Sequence, residues 1–108
     1  MHETVNILRF AEVMGNNGFS YYGSLTLFRI LEDYEELTGQ AMEFDPVAIR
    51  CDFREYDSAW EAAMDFFGRE EASAMDEVEA EDRLLDEAGR VYPIIYNGRR
   101  QGVIVQPY

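Results

Sequence analysis

At 108 residues the chain has the length of one domain with a real core, too short for two. Its 47% hydrophobic content, with seven Phe, seven Tyr and one Trp, excludes a disordered acidic tail, and no apolar run approaches the roughly 20 residues needed to span a bilayer. A net charge of −13, from 22 acids against nine Arg and no Lys, argues against direct binding to nucleic acid or to an anionic membrane.

The first helical signal is Thr4–Met14, where Ile7, Phe10, Ala11 and Met14 recur at the i, i+3, i+4, i+7 spacing of one face. Gly15-Asn16-Asn17-Gly18 stops it with residues that tolerate left-handed backbone angles. Ser20 is a good N-cap for a longer helix to about Leu37, with Leu25, Leu27, Phe28, Leu31, Tyr34 and Leu37 expected to face the core. Gly39 is its natural C′ residue.

Phe44–Tyr56 reads as a strand. Val47, Ile49, Cys51 and Phe53 alternate with Ala48, Arg50, Asp52 and Arg54, the period-2 pattern of one buried face. Pro46 is tolerated at a strand start. Cys51 falls on the inward face, as a buried and inert thiol. Ser58-Ala59-Trp60-Glu61 matches the S-x-x-E capping box of the next helix, with Trp60, Ala63, Met64 and Phe67 as its apolar stripe and Gly68 as its end.

Residues 69–75 read as a linker, and Asp76–Ala88 as a helix anchored by Met75, Val78, Leu84 and Leu85. Val91–Tyr96 and Arg99–Gln106 form a hairpin through Asn97-Gly98, which suits a type I′ turn. Pro93 makes the first arm an edge strand, while the continuous Val103-Ile104-Val105 makes the second central. The expected fold is α+β. A three-stranded antiparallel sheet has the last strand in the middle, and three to four helices pack mainly on one face of a single domain, 1–108.

No chemistry-bearing motif survives inspection. The chain has neither a phosphate-binding Gly-rich loop nor a calcium loop; Asp76–Asp82 lacks the Gly and the alternation that a calcium site needs. His2 is the sole histidine and Cys51 the sole cysteine, which excludes a His-based triad, a zinc site and an internal disulfide. No enzyme, cofactor or metal is expected. The start of the chain lacks the basic cap and apolar block of a secretory signal, so the expected location is the cytoplasm.

Charge is unevenly distributed. Residues 31–88 hold 20 acids and four Arg, a net of −16, and the rest holds two acids and five Arg, a net of +3. Such a field favours a basic partner and electrostatically steered association, though solubility is the other reading of the same composition. Acids on one strand face would lie about 6.6 Å apart and acids one helical turn apart about 5.4 Å, comparable with the roughly 3.4 Å advance of phosphates along one DNA strand. Glu32, Asp33 and Glu36, with Asp52, Glu55, Asp57, Glu61 and Asp65, are the candidate partner-binding residues.

Gly18-Phe19-Ser20-Tyr21-Tyr22-Gly23 through Glu35-Glu36-Leu37-Thr38-Gly39, the stretch Phe44–Asp57, and the closing Asn97-Gly98 with Gly102-Val103-Ile104-Val105-Gln106 together resemble a family of small acidic phage and plasmid proteins. The similarity spans most of the chain and is weakest over residues 69–90. Tyr22 stands where that family often has Glu, and Arg50 where it often has Cys, positions that bear on partner contacts more than on fold. The resemblance implies a mobile-element role, most specifically inhibition of host defence (anti-CRISPR or antirestriction). The partner would then be a CRISPR effector or restriction enzyme of the bacterial host, met in its cytoplasm. An immunity or antitoxin-like protein against a basic nuclease, and an acidic phage accessory protein, are the alternatives.

Overall fold

Among residues 6–107, which the computed structural model describes, the chain forms six helices and one three-stranded antiparallel sheet, an α+β architecture. It divides into two compact units, Met1–Cys51 and Asp52–Tyr108. His2 and the first residues of the expected N-terminal helix, Thr4 and Val5, lie outside the described residues.

In the first unit α1 (Ile7–Gly15) packs on α2 (Tyr21–Thr38). Asn6 caps α1 by accepting from the Arg9 N–H, and Ser20 caps α2 by accepting from Gly23 N–H. Gly39 ends α2 at φ 71°, in the left-handed region that favours glycine. Phe10, fully buried, meets Phe28 edge-on and Phe44 at a tilt, each with ring centroids 5.2 Å apart. Met14, Leu27 and Leu31 are buried as expected, but Tyr34 and Leu37 are exposed.

The segment Phe44–Tyr56, expected to be one long strand, is mostly a helix, α3 (Pro46–Asp52), followed by a strand of only three residues, β1 (Arg54–Tyr56). Asp45 starts α3: its carboxylate accepts from Ala48 N–H at 3.1 Å and its carbonyl from Ile49 N–H at 3.0 Å. Pro46 therefore stands at the first helical position, where its missing N–H costs nothing. The alternation of Val47, Ile49, Cys51 and Phe53 was coincidental to the backbone. Only Ile49 and Phe53 are buried, while Val47 and Cys51 are exposed. The thiol is thus not the inward-facing group expected.

The second unit contains the sheet, in the order β1-β3-β2, with β2 (Gly89–Tyr96) and β3 (Arg99–Pro107) joined by the expected turn. Asn97 (φ 53°) and Gly98 (φ 73°) supply the two positive angles that a type I′ turn requires. Pro93 lies on the edge strand and Val103-Ile104-Val105 on the central one, both as expected. Between Ile94 and Ile95 the register slips by one residue, which leaves Gln101 as the extra residue of a bulge in β3.

Helices α4 (Ala59–Phe67), α5 (Arg69–Ser73) and α6 (Glu77–Glu87) complete this unit. Residues 69–75 are therefore not a plain linker. With α3, this raises the helix count to six, above the three to four expected. Ala59, Ala62, Ala63, Ala72, Ala80 and Ala88 are buried with Leu84, Val103 and Val105 in one cluster. Six alanines let α4, α5 and α6 approach closely, and Trp60, Met64 and Phe67 pack around that core without being its centre. Val78 and Leu85, expected to anchor α6, are exposed instead; Leu84 and Ala80 face inward.

Candidate functional site

The carboxylates divide into those that hold the fold and those that face solvent. Asp45 caps α3, as described, and Asp76 caps α6 by accepting from Glu79 N–H at 2.8 Å. Glu35 accepts from Met42 N–H at 2.6 Å and ties the loop after α2 back to the helix. Glu77 is the most committed. Its two oxygens accept from Ala59 N–H (2.8 Å) and Trp60 N–H (2.9 Å), while Ser58 Oγ accepts from Glu61 N–H (3.1 Å). Three otherwise unpaired donors at the start of α4 are thereby satisfied, two of them by Glu77 of α6. Trp60 Nε1 donates to the Ala72 carbonyl at 2.8 Å and joins α4 to α5.

Arginines account for several more acids. Arg83 lies over the Phe67 ring, 4.4 Å from its centroid, and pairs with Glu71 (2.6 Å) and Glu87 (2.7 Å). Its guanidinium is held above its ordinary pKa, chiefly by the hydrogen bond to Glu87 and next by Glu71. Arg100 of β3 pairs with Glu81 of α6. An open depression of about 390 Å³ is lined by Glu71, Ala74, Met75, Glu79 and Arg83. Its one cation is already held by Glu71 and Glu87. Among the described residues no group of three His, Cys, Asp or Glu is placed to hold a metal ion, and no helix is long and apolar enough to cross a membrane.

The eight candidate residues fall on both units. On α2, Glu32, Asp33 and Glu36 are exposed within little more than one turn. In the second unit, Asp57 and Glu61 flank the start of α4, where acids complement the helix dipole, and both are exposed. Asp52, the last residue of α3, is also exposed. Among the described residues, the side chains of these six make no hydrogen bond or ion pair within the protein.

Asp65 and Glu55 differ from the other six. Asp65 accepts from the Tyr56 hydroxyl at 2.5 Å and stands 3.9 Å from the Arg54 guanidinium, which lies over the Phe66 ring. The Tyr56 hydroxyl is pushed up from 10.0 to about 12, first by burial and then by the hydrogen bond to Asp65 and its charge. Glu55 is half-buried on β1 and partnered within the protein. With Asp52 on a helix and Asp57 beyond the end of β1, only Glu55 of the candidates lies in a strand, so the expected strand-type spacing of acids is not present. Sequence reasoning missed the Glu77 cap and the Tyr56–Asp65 pair. Eighteen residues separate Glu77 from Ala59, with no local pattern to reveal the pairing. Comparison with known protein families, with curated proteins and with solved structures returns no match.

Proposed function

We propose that this protein is a phage or mobile-element inhibitor that binds a nucleic-acid-targeting defence complex of a bacterial host, a CRISPR effector or a restriction enzyme, in the host cytoplasm. It acts by stoichiometric occupation and carries out no chemistry. The observation that carries this reading is the set of six exposed carboxylates, Glu32, Asp33, Glu36, Asp52, Asp57 and Glu61, with no partner inside the described protein. Glu43, Glu70, Glu79, Asp82 and Asp86 are likewise exposed and unpartnered, while the remaining described acids are engaged within the protein. These six are available to a cationic surface.

Spacing supports the same reading. Glu32 and Glu36 are one helical step of four residues apart, a rise of about 6 Å, close to the roughly 6.8 Å advance of two successive phosphates along a DNA strand. A groove lined with Arg and Lys that normally holds nucleic acid accepts such a row without base-specific contacts.

The test is capture from bacterial lysate with the immobilised chain, followed by an inhibition assay on the complex recovered. Replacing Asp33, Glu36, Asp52 and Glu61 by Lys abolishes inhibition while the far-ultraviolet dichroism is unchanged. Retained inhibition by that variant would sink the site assignment. A basic nuclease recovered in place of a defence complex assigns the protein an immunity role. No recovery at all leaves its acidity a matter of solubility.

A further inference from the structure

Leu31 is the last buried residue of α2. Beyond it Glu32, Asp33, Tyr34, Glu36, Leu37 and Thr38 are all exposed, with Leu37 at 86% and Tyr34 at 53%. Ile30, Tyr34 and Leu37 recur at i, i+4, i+7, so they form one apolar stripe over two turns, with Asp33 at its border and Glu36 a step further round. Single exposed hydrophobic residues need no explanation, but a continuous stripe at helical spacing does.

The end of this helix is firmly built. Thr38 Oγ1 donates to the Tyr34 carbonyl at 3.0 Å, Gly39 N–H closes on the Glu35 carbonyl at 2.8 Å, and the Glu35 carboxylate holds Met42 N–H. The stripe is thus presented on an ordered helix, which lowers the entropy lost on docking.

We infer that the distal half of α2 is a docking helix whose occupant is a cationic amphipathic helix of a partner protein, its apolar ridge on Ile30, Tyr34 and Leu37 and its Arg or Lys beside Asp33 and Glu36. Charge selects this occupant over a second copy of the chain. Pairing two such stripes brings like charges at Asp33 and Glu36 together on a molecule of net charge −13. The cationic sign of the partner rests on the functional reading above, whereas the apolar contact does not. Helix-on-helix docking of this kind reads out through i, i+3, i+4, i+7 anchors.

The probe is a synthetic helical peptide of about 18 residues, with Leu along one face and Arg along its borders, titrated into the isotope-labelled full chain and followed by backbone amide shifts. Shifts concentrate on residues 30–38. The Tyr34→Ser/Leu37→Ser variant, altered only at exposed positions, binds about tenfold more weakly or worse, since it loses two apolar anchors. Equal binding of a scrambled peptide of the same composition overturns the docking helix in favour of plain charge attraction, as does unchanged affinity in the variant. Concentration-dependent sedimentation that the variant abolishes assigns the stripe to a second copy and overturns the cationic occupant. Site-specific peptide binding without any defence complex captured from lysate supports the docking helix while removing the inhibitor role.

Discussion

At the scale of single residues, Tyr56 and Asp65 give a pH signature. Burial and the Asp65 carboxylate both favour the protonated phenol, raising it from 10.0 to about 12 in the folded protein. A group whose folded value lies above its unfolded value stabilises the fold fully below the unfolded value. That contribution is lost as pH rises from about 10 towards 12, because there the folded state binds more protons than the unfolded. Tyr56→Phe removes this part of the alkaline fall in stability and lowers the neutral-pH stability by about 1 kcal/mol, the hydrogen bond being partly exposed. Urea unfolding of both proteins from pH 8 to pH 12 checks it. Parallel stability profiles of Tyr56→Phe and wild type across that range would falsify the assignment.

In the second unit, close backbone approaches hold elements together alongside apolar side chains. A Cβ at Gly102 would stand 2.6 Å from the Tyr56 carbonyl oxygen, a backbone atom of β1 that moves only if the strand moves. Since β1 has only three residues, all paired with β3, Gly102→Ala is expected to detach it and to cost about 2 kcal/mol or more. Gly15 is the control. A Cβ there meets nothing within 4 Å, so Gly15→Ala at the end of α1 leaves stability unchanged or raises it by less than about 1 kcal/mol. Denaturation midpoints and amide exchange at Glu55 and Tyr56 separate the two variants. Equal midpoints would show that β1 is not held by that approach. Acids also sit in the last turns of α2 and α6 with no basic residue there, opposite to what the helix dipole favours. The local electrostatics of α2 therefore do not account for Glu36, which leaves it open to a role in binding.

The whole molecule carries a charge of −13 without a single Lys. If partner binding is driven by the free carboxylates, affinity for the captured complex falls at least about tenfold between roughly 0.05 and 0.2 M salt, chiefly through the association rate. Titration calorimetry or surface capture at stepped salt measures it. Affinity that is flat with salt removes phosphate mimicry. A shallow but nonzero slope with a residual salt-independent component is what the apolar stripe of α2 adds.

What was legible in the chain was whatever short-range chemistry decides. Ser20 and Ser58 cap helices, Gly39 ends one, and Asn97-Gly98 turns a hairpin, each through contacts spanning about four residues or fewer. Pro93 and the run Val103-Ile104-Val105 also set edge and centre correctly, because a missing N–H and two-sided burial constrain a strand wherever it lies. The solvent-facing acids of α2 were legible from the same helical period. Tertiary structure decided the rest. Asp45-Pro46 was a helix start hidden beneath a strand-like alternation. For seven residues the two readings differ little in local energy, so what each side chain meets decides between them. Tertiary packing likewise chose small alanines over the larger hydrophobic residues as the centre of the second unit. It drew Asp65 to Tyr56 and Glu77 to the start of α4, and left Tyr34 and Leu37 in solvent. Burial depends on partners far away in the chain, and a helical period names a face without naming what covers it.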